Sequence, residues 1–167
     1  MGITDFFKRG SKSHFDAEVY QKLMAGIPQY IRDHGDFVSL CNVWGHFQPD
    51  SAGHEDFRYK FPNGFVVTVW RDLSAEFYQA LADLSNQNQI HMVPASIDIY
   101  TLDCGYQLKL PILPTNWEEV NRRKEYFLPH VLTTSASTAE KVAANPRITT
   151  YAIVHPGGRV QDDIDIW

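Results

Sequence analysis

Phe57-Arg-Tyr-Lys-Phe-Pro-Asn-Gly-Phe-Val-Val-Thr-Val-Trp70 decides the fold class. Phe57, Tyr59 and Phe61 alternate with Arg58 and Lys60, the period-two pattern of a strand with one buried face. Pro62-Asn63-Gly64 suits a tight turn in which Gly64 takes a positive φ. Phe65 to Trp70 is rich in β-branched and aromatic residues and reads as the returning strand. Strands joined by so short a turn pair antiparallel, because a parallel partner needs a crossover of a dozen or more residues.

Upstream, Ser13 and Asp16 read as a helix start, with a capping side chain and an early negative charge. Val19, Tyr20, Leu23, Met24 and Ile27 recur at helical spacing. Pro28 predicts an end, a kink or a second helical start, and His34-Gly35-Asp36 a stop. The apolar positions of 37–48 fit a helix about as well as a buried strand. The segment lacks Ala, Glu, Lys and Arg and is rich in Val and aromatics, so a strand is expected. Residues 49–56 read as a polar loop.

Downstream, Asp72 or Ser74 caps a helix over about 74–86, with Phe77, Leu81 and Leu84 along one stripe. Ile97 to Leu102 and Tyr106 to Ile112 read as a second hairpin around Asp103-Cys104-Gly105. Helices are expected over 117–127 and 135–144, and a last strand over 148–154. Residues 1–12 read as a lead-in segment and 13–167 as one α+β domain. Its architecture is an antiparallel sheet of about six strands, drawn from two hairpins, with flanking helices.

Composition limits the function. Aromatics make up 13% of the 167 residues, and a core rich in them is the plain expectation. The formal net charge is −5, from 15 basic and 20 acidic residues. That balance opposes non-specific binding to nucleic acid or anionic membrane, both of which need a positive field. No apolar run approaches the roughly 18 residues of a membrane span. The N-terminus lacks the charged-then-apolar order of a signal peptide, and Phe6 stands where a myristoylation motif needs Ser or Thr. Cys41 and Cys104 form no Cys-x-x-Cys pair, and reduced thiols are expected in a cytoplasmic chain.

Chemistry-bearing patterns are sparse. The sequence has no Walker loop, dinucleotide-binding glycine fingerprint, His-Glu-x-x-His, EF-hand or Gly-x-Ser-x-Gly. No cofactor is expected. His46, His54 and Asp56, with Asp50 and Glu55 in the same stretch, are weak candidates for a divalent metal, because imidazoles and carboxylates suit such ions. Their spacing matches no ligand frame. Arg122-Arg123-Lys124 is the one basic triplet. On a helix it would fan around the axis among Glu118, Glu119 and Glu125, as a solvated face does.

The leading expectation is therefore a small cytoplasmic protein-binding module, of the inhibitor or immunity type. Its acidic charge would steer it to a basic partner, and exposed aromatics would anchor the contact. A winged-helix-like nucleic-acid binder using Arg122, Arg123 and Lys124 is the first alternative, and it requires a recognition helix ahead of the Pro62-Asn63-Gly64 wing. A metal-dependent enzyme using the 46–56 loop is the second. The reading leans away from an enzyme, from nucleic acid and from membrane.

Overall fold

Asp16 turns the chain into its first helix. Its carboxylate accepts from the backbone N–H groups of Glu18 and Val19 at 3.0 and 3.1 Å, satisfying two of the donors a helix start leaves open. This helix, α1, spans Ala17–Asp33. The structure, a computed structural model, describes residues 14–60, 66–96, 100, 109–114, 117–121, 123–143 and 165–166. Ser13, the lead-in segment, the Pro62-Asn63-Gly64 turn, residues 97–99 and 101–108 of the second hairpin and the strand at 148–154 lie outside the described residues. Where a strand is expected over 97–102 Tyr100 is helical, and of 109–112 only Ile112 pairs, in an isolated parallel bridge with Phe127.

α1 continues past Pro28 without ending, so of the expected outcomes at this proline a helix stop is not formed. A helix-interior proline costs about 3 kcal/mol. Leu23, Ile27 and Ile31 are completely buried on the same face, and each aliphatic side chain so buried contributes about 1.5–3 kcal/mol. Packing outweighs the missing hydrogen bond. The helix stops at the predicted place. The N–H of His34 donates to the carbonyls of Tyr30 and Ile31, and Gly35 and Asp36 follow with φ of 85° and 56°. In that left-handed turn the Asp36 carboxylate accepts from the backbone N–H of Thr134 at 2.8 Å and from the hydroxyls of Thr133 and Thr134.

Residues 37–48 differ from the expected strand. Only β1, Val38–Ser39, is extended, and α2 covers Leu40–His46. Ser39 decides the switch: its hydroxyl accepts from the backbone N–H of Asn42 at 3.3 Å and caps the helix. Leu40 and Val43 are fully buried, and Trp44 and Phe47 continue the same stripe against the core. Strand propensity in Val and aromatics is a preference for a half-buried surface, and a packed helix face supplies one equally well. Phe47 packs over Gly26 of α1, where a Cβ would stand 3.0 Å from its ring.

β2, Ala52–Lys60, and β3, Val66–Leu73, form the expected antiparallel pair, with Tyr59 opposite Val67 and Lys60 opposite Val66. β2 begins well before Phe57, through a stretch read as loop, and its register shifts at Ala52/Glu55, Glu55/Phe57 and Phe57/Arg58. Ser74 caps α3, Ala75–Asn86, by accepting from the N–H of Phe77 at 3.0 Å. Phe77, Ala80, Leu81 and Leu84 are its buried stripe. β4 follows at His91–Pro94.

The helix expected over 117–127 is not formed. A single 3-10 turn covers Trp117–Glu119, and β5 covers Glu125–Phe127. Between them Asn121 builds a turn: its side chain accepts from the N–H of Arg123 and its carbonyl from the N–H of Lys124, both at 3.0 Å. Asn diverts backbone donors in this way, which is why it opposes helix interiors. Tyr126 and Phe127 are then buried in the sheet. β6 is His130–Thr133, α4 is Ala136–Ala143, close to its predicted range, and β7 is Asp165–Ile166.

The chain is α+β. Its strands divide between two sheets, of order β1-β6-β4 and β5-β3-β2-β7. Every pairing between these strands is antiparallel except β3 with β5, where Val67 lies beside Tyr126, and Ile112 adds an isolated parallel bridge to Phe127. The core is aromatic, as composition predicts. Trp70 meets Trp44 and Tyr100 edge-on at 5.6 Å between centroids, with Phe127 at 6.0 Å. Cys41 is buried and disulfide-bonded, where a reduced thiol is expected from the sequence. Pairing depends on how close two Cβ atoms come in space, which sequence spacing does not give. Cys104 lies outside the described residues.

Candidate functional site

The weak metal candidates are placed apart in role. His46 ends α2 with its ring stacked on Tyr30, 4.0 Å between centroids, while His34 lies against the same tyrosine at 3.9 Å. His54 is exposed on β2. Asp56 is held by Arg58 at 2.5 Å, and Asp50 by Lys22 at 2.7 Å. Among the described residues no three His, Cys, Asp or Glu side chains form a group that could hold a metal ion.

Asp56 belongs to a charge network across the four-stranded sheet. Arg71 donates to Glu125 at 3.0 Å, and Arg58 Nε stands 3.3 Å from the same carboxylate. The fully buried Thr68 donates to it as well. Burial pushes the Glu125 carboxyl up. The hydrogen bonds from Thr68 and Arg71 and the charges of Arg58 and Arg71 outweigh that and hold it below the usual range. Two cations and two anions cancel here, so the network ties β5 to β2 and β3 and leaves no net field for a phosphate.

The basic triplet lies in the turn before β5. Arg123 and Lys124 are exposed, and Arg122 is outside the described residues. The recognition helix that a winged-helix reading needs exists as α2, just ahead of the β2–β3 hairpin. It contains no lysine or arginine.

Inside the molecule, His130 is buried between fixed partners. Its Nδ1 lies 2.8 Å from the Leu128 carbonyl, which can only accept, so Nδ1 carries the proton. Nε2 lies 3.4 Å from the Tyr59 hydroxyl. The backbone N–H of His130 donates to the Tyr100 hydroxyl at 2.9 Å. Burial pushes the Tyr59 phenol far up. Nearby, Glu55 sits half-buried at the β2 register shift. Burial, and then the charge of Asp56, raise its carboxyl to about 7. Burial, and then the charge of Glu55, push Tyr78 of α3 up to about 12.

The face where α1 lies beside α3 is different in kind. Asp16 and Glu18 are exposed at the start of α1, and Glu76 and Asp83 are half-buried on α3. Glu76 accepts from the backbone N–H of Asp16 at 2.7 Å. Asp83 accepts from the Tyr20 hydroxyl at 2.6 Å and from Gln79 at 2.9 Å. That hydrogen bond, then burial and the Asp83 charge, push Tyr20 up to about 12. Phe15 and Tyr20 pack ring to ring at 5.5 Å, and the Tyr20 hydroxyl is the one that reaches Asp83. Of the five ion pairs among the described residues, none involves these four carboxylates. Sequence reading takes Tyr20 as part of an apolar stripe and Asp16 as a helix-start signal. Nothing in the sequence brings Glu76 and Asp83 to them.

No helix among the described residues is long and apolar enough to cross a membrane. Comparison with protein-family models, with curated proteins and with solved structures finds no match for this chain.

Proposed function

We propose that the chain is a cytoplasmic module that binds another protein, one with a basic surface, through the face formed by α1 and α3. The observation that carries this is a run of carboxylates, Asp16 and Glu18 at the start of α1 and Glu76 and Asp83 on α3, in no ion pair among the described residues and accompanied by the half-buried rings of Phe15 and Tyr20. Uncompensated charge of one sign steers an oppositely charged partner and sets orientation, while aromatic rings beside it supply the buried anchor. The aromatic anchor is half-buried rather than fully exposed. Among the described residues only Phe37, at 38% exposure, counts as a large exposed apolar side chain.

The test is capture of a partner from the source cell by the full-length protein, followed by titration calorimetry with the purified pair. Affinity should fall as salt rises, because exposed charges are screened. Glu18→Lys should weaken binding by about tenfold, the effect of some 1.4 kcal/mol at the interface. Equal affinity for the two proteins, or binding indifferent to salt, sinks the proposal. The Cys41 disulfide is unusual for the cytoplasm. Thiol trapping in intact cells tests that placement: a reduced Cys41 fits it and a stable disulfide overturns it.

The winged-helix alternative keeps its helix in α2 but finds no cation there. The metal-enzyme alternative has Asp50 and Asp56 occupied by Lys22 and Arg58. Both therefore rank below protein binding.

A further inference from the structure

We draw no further inference here: the strongest candidate, the cluster of titratable side chains formed by Glu55 and Tyr59 of β2, Tyr78 of α3 and His130 of β6, rests on the shifted acidities of its own groups, and nothing in the structure shows what would reach them.

Discussion

At Gly53 the backbone of β2 presses on the end of β3. A Cβ there would stand 2.6 Å from the Leu73 carbonyl oxygen and 2.7 Å from the Ser74 Cα, both backbone atoms that cannot swing away. Gly53→Ala should therefore destabilise the fold by about 1–3 kcal/mol, the usual cost of overpacking. Urea unfolding measures it, and a midpoint matching the parent protein would mean that the bulge relaxes freely. Two residues on, Glu55 gives a pH signature. Its folded value of about 7 lies above the ordinary 4.5. Between those values the folded state holds a proton that the unfolded state has lost, so stability falls as pH rises through this window and levels off above 7. Glu55→Gln should remove that slope and raise the melting temperature at pH 8 relative to the parent. Parallel melting profiles for the two proteins from pH 5 to 8 would refute it. Glu125 works in the opposite sense, because its carboxyl is held low. Its contribution is present above the ordinary carboxylate range and is lost as pH falls through the lower folded value.

The helices start on serine and aspartate caps, and these are unequal in consequence. The Ser39 hydroxyl caps α2 through the N–H of Asn42 and also lies 3.3 Å from Cys41 Sγ, a weak sulfur partner. Ser74 caps α3 through the N–H of Phe77. It also donates its hydroxyl to the Asp50 carbonyl at 2.6 Å and its own N–H to the Ser51 carbonyl at 2.7 Å. Replacing a serine cap by alanine costs about 1 kcal/mol, within a range of roughly 0.5–2. Ser39→Ala should fall at the low end of that range. Ser74→Ala should fall at the high end, because it also leaves the Asp50 carbonyl without its donor. Guanidinium melts of the two variants decide it, and a larger loss for Ser39→Ala would show the ranking to be wrong. The same comparison shows why α3 is legible in sequence and α2 is not. Ser74 precedes a stripe of Phe77, Leu81 and Leu84 in a segment with Ala and Glu. Ser39 precedes Val, Trp and Phe in a segment without them, and its cap is visible only once the chain has turned.

Over the whole molecule 15 basic residues stand against 20 acidic ones, and among the described residues three of the cations are held in ion pairs. Arg58 and Arg71 face Asp56 and Glu125, and Lys22 faces Asp50. Binding to a nucleic-acid backbone releases counterions from phosphates met by unpaired lysine and arginine. The protein should therefore bind random duplex DNA or RNA no tighter than about 10⁻⁶ M at physiological salt, the tight end of ordinary non-specific binding. Fluorescence anisotropy tests this. A sub-micromolar, salt-sensitive complex lost in Arg123→Ala with Lys124→Ala would displace protein binding in favour of the winged-helix alternative.

By itself the sequence determined the α+β class, the β2–β3 pair, the stripes of α1 and α3, the helix α4, the stop at His34-Gly35-Asp36 and an aromatic core. Each of these rests on a repeat or a local contact within a few residues, so neighbours in sequence are enough to specify it. Tertiary structure alone decided the rest. Pro28 stays inside α1 because Leu23, Ile27 and Ile31 are buried on the same face. Residues 125–127 become a parallel strand because Glu125 finds Arg58, Arg71 and Thr68 from two other strands. The candidate binding face exists because α1 packs beside α3, bringing Tyr20 to Asp83 across 63 residues of chain. Burial and charge pairing act through space, and a buried aliphatic side chain's free energy of about 1.5–3 kcal/mol exceeds the few tenths that separate one residue's helix and strand preferences.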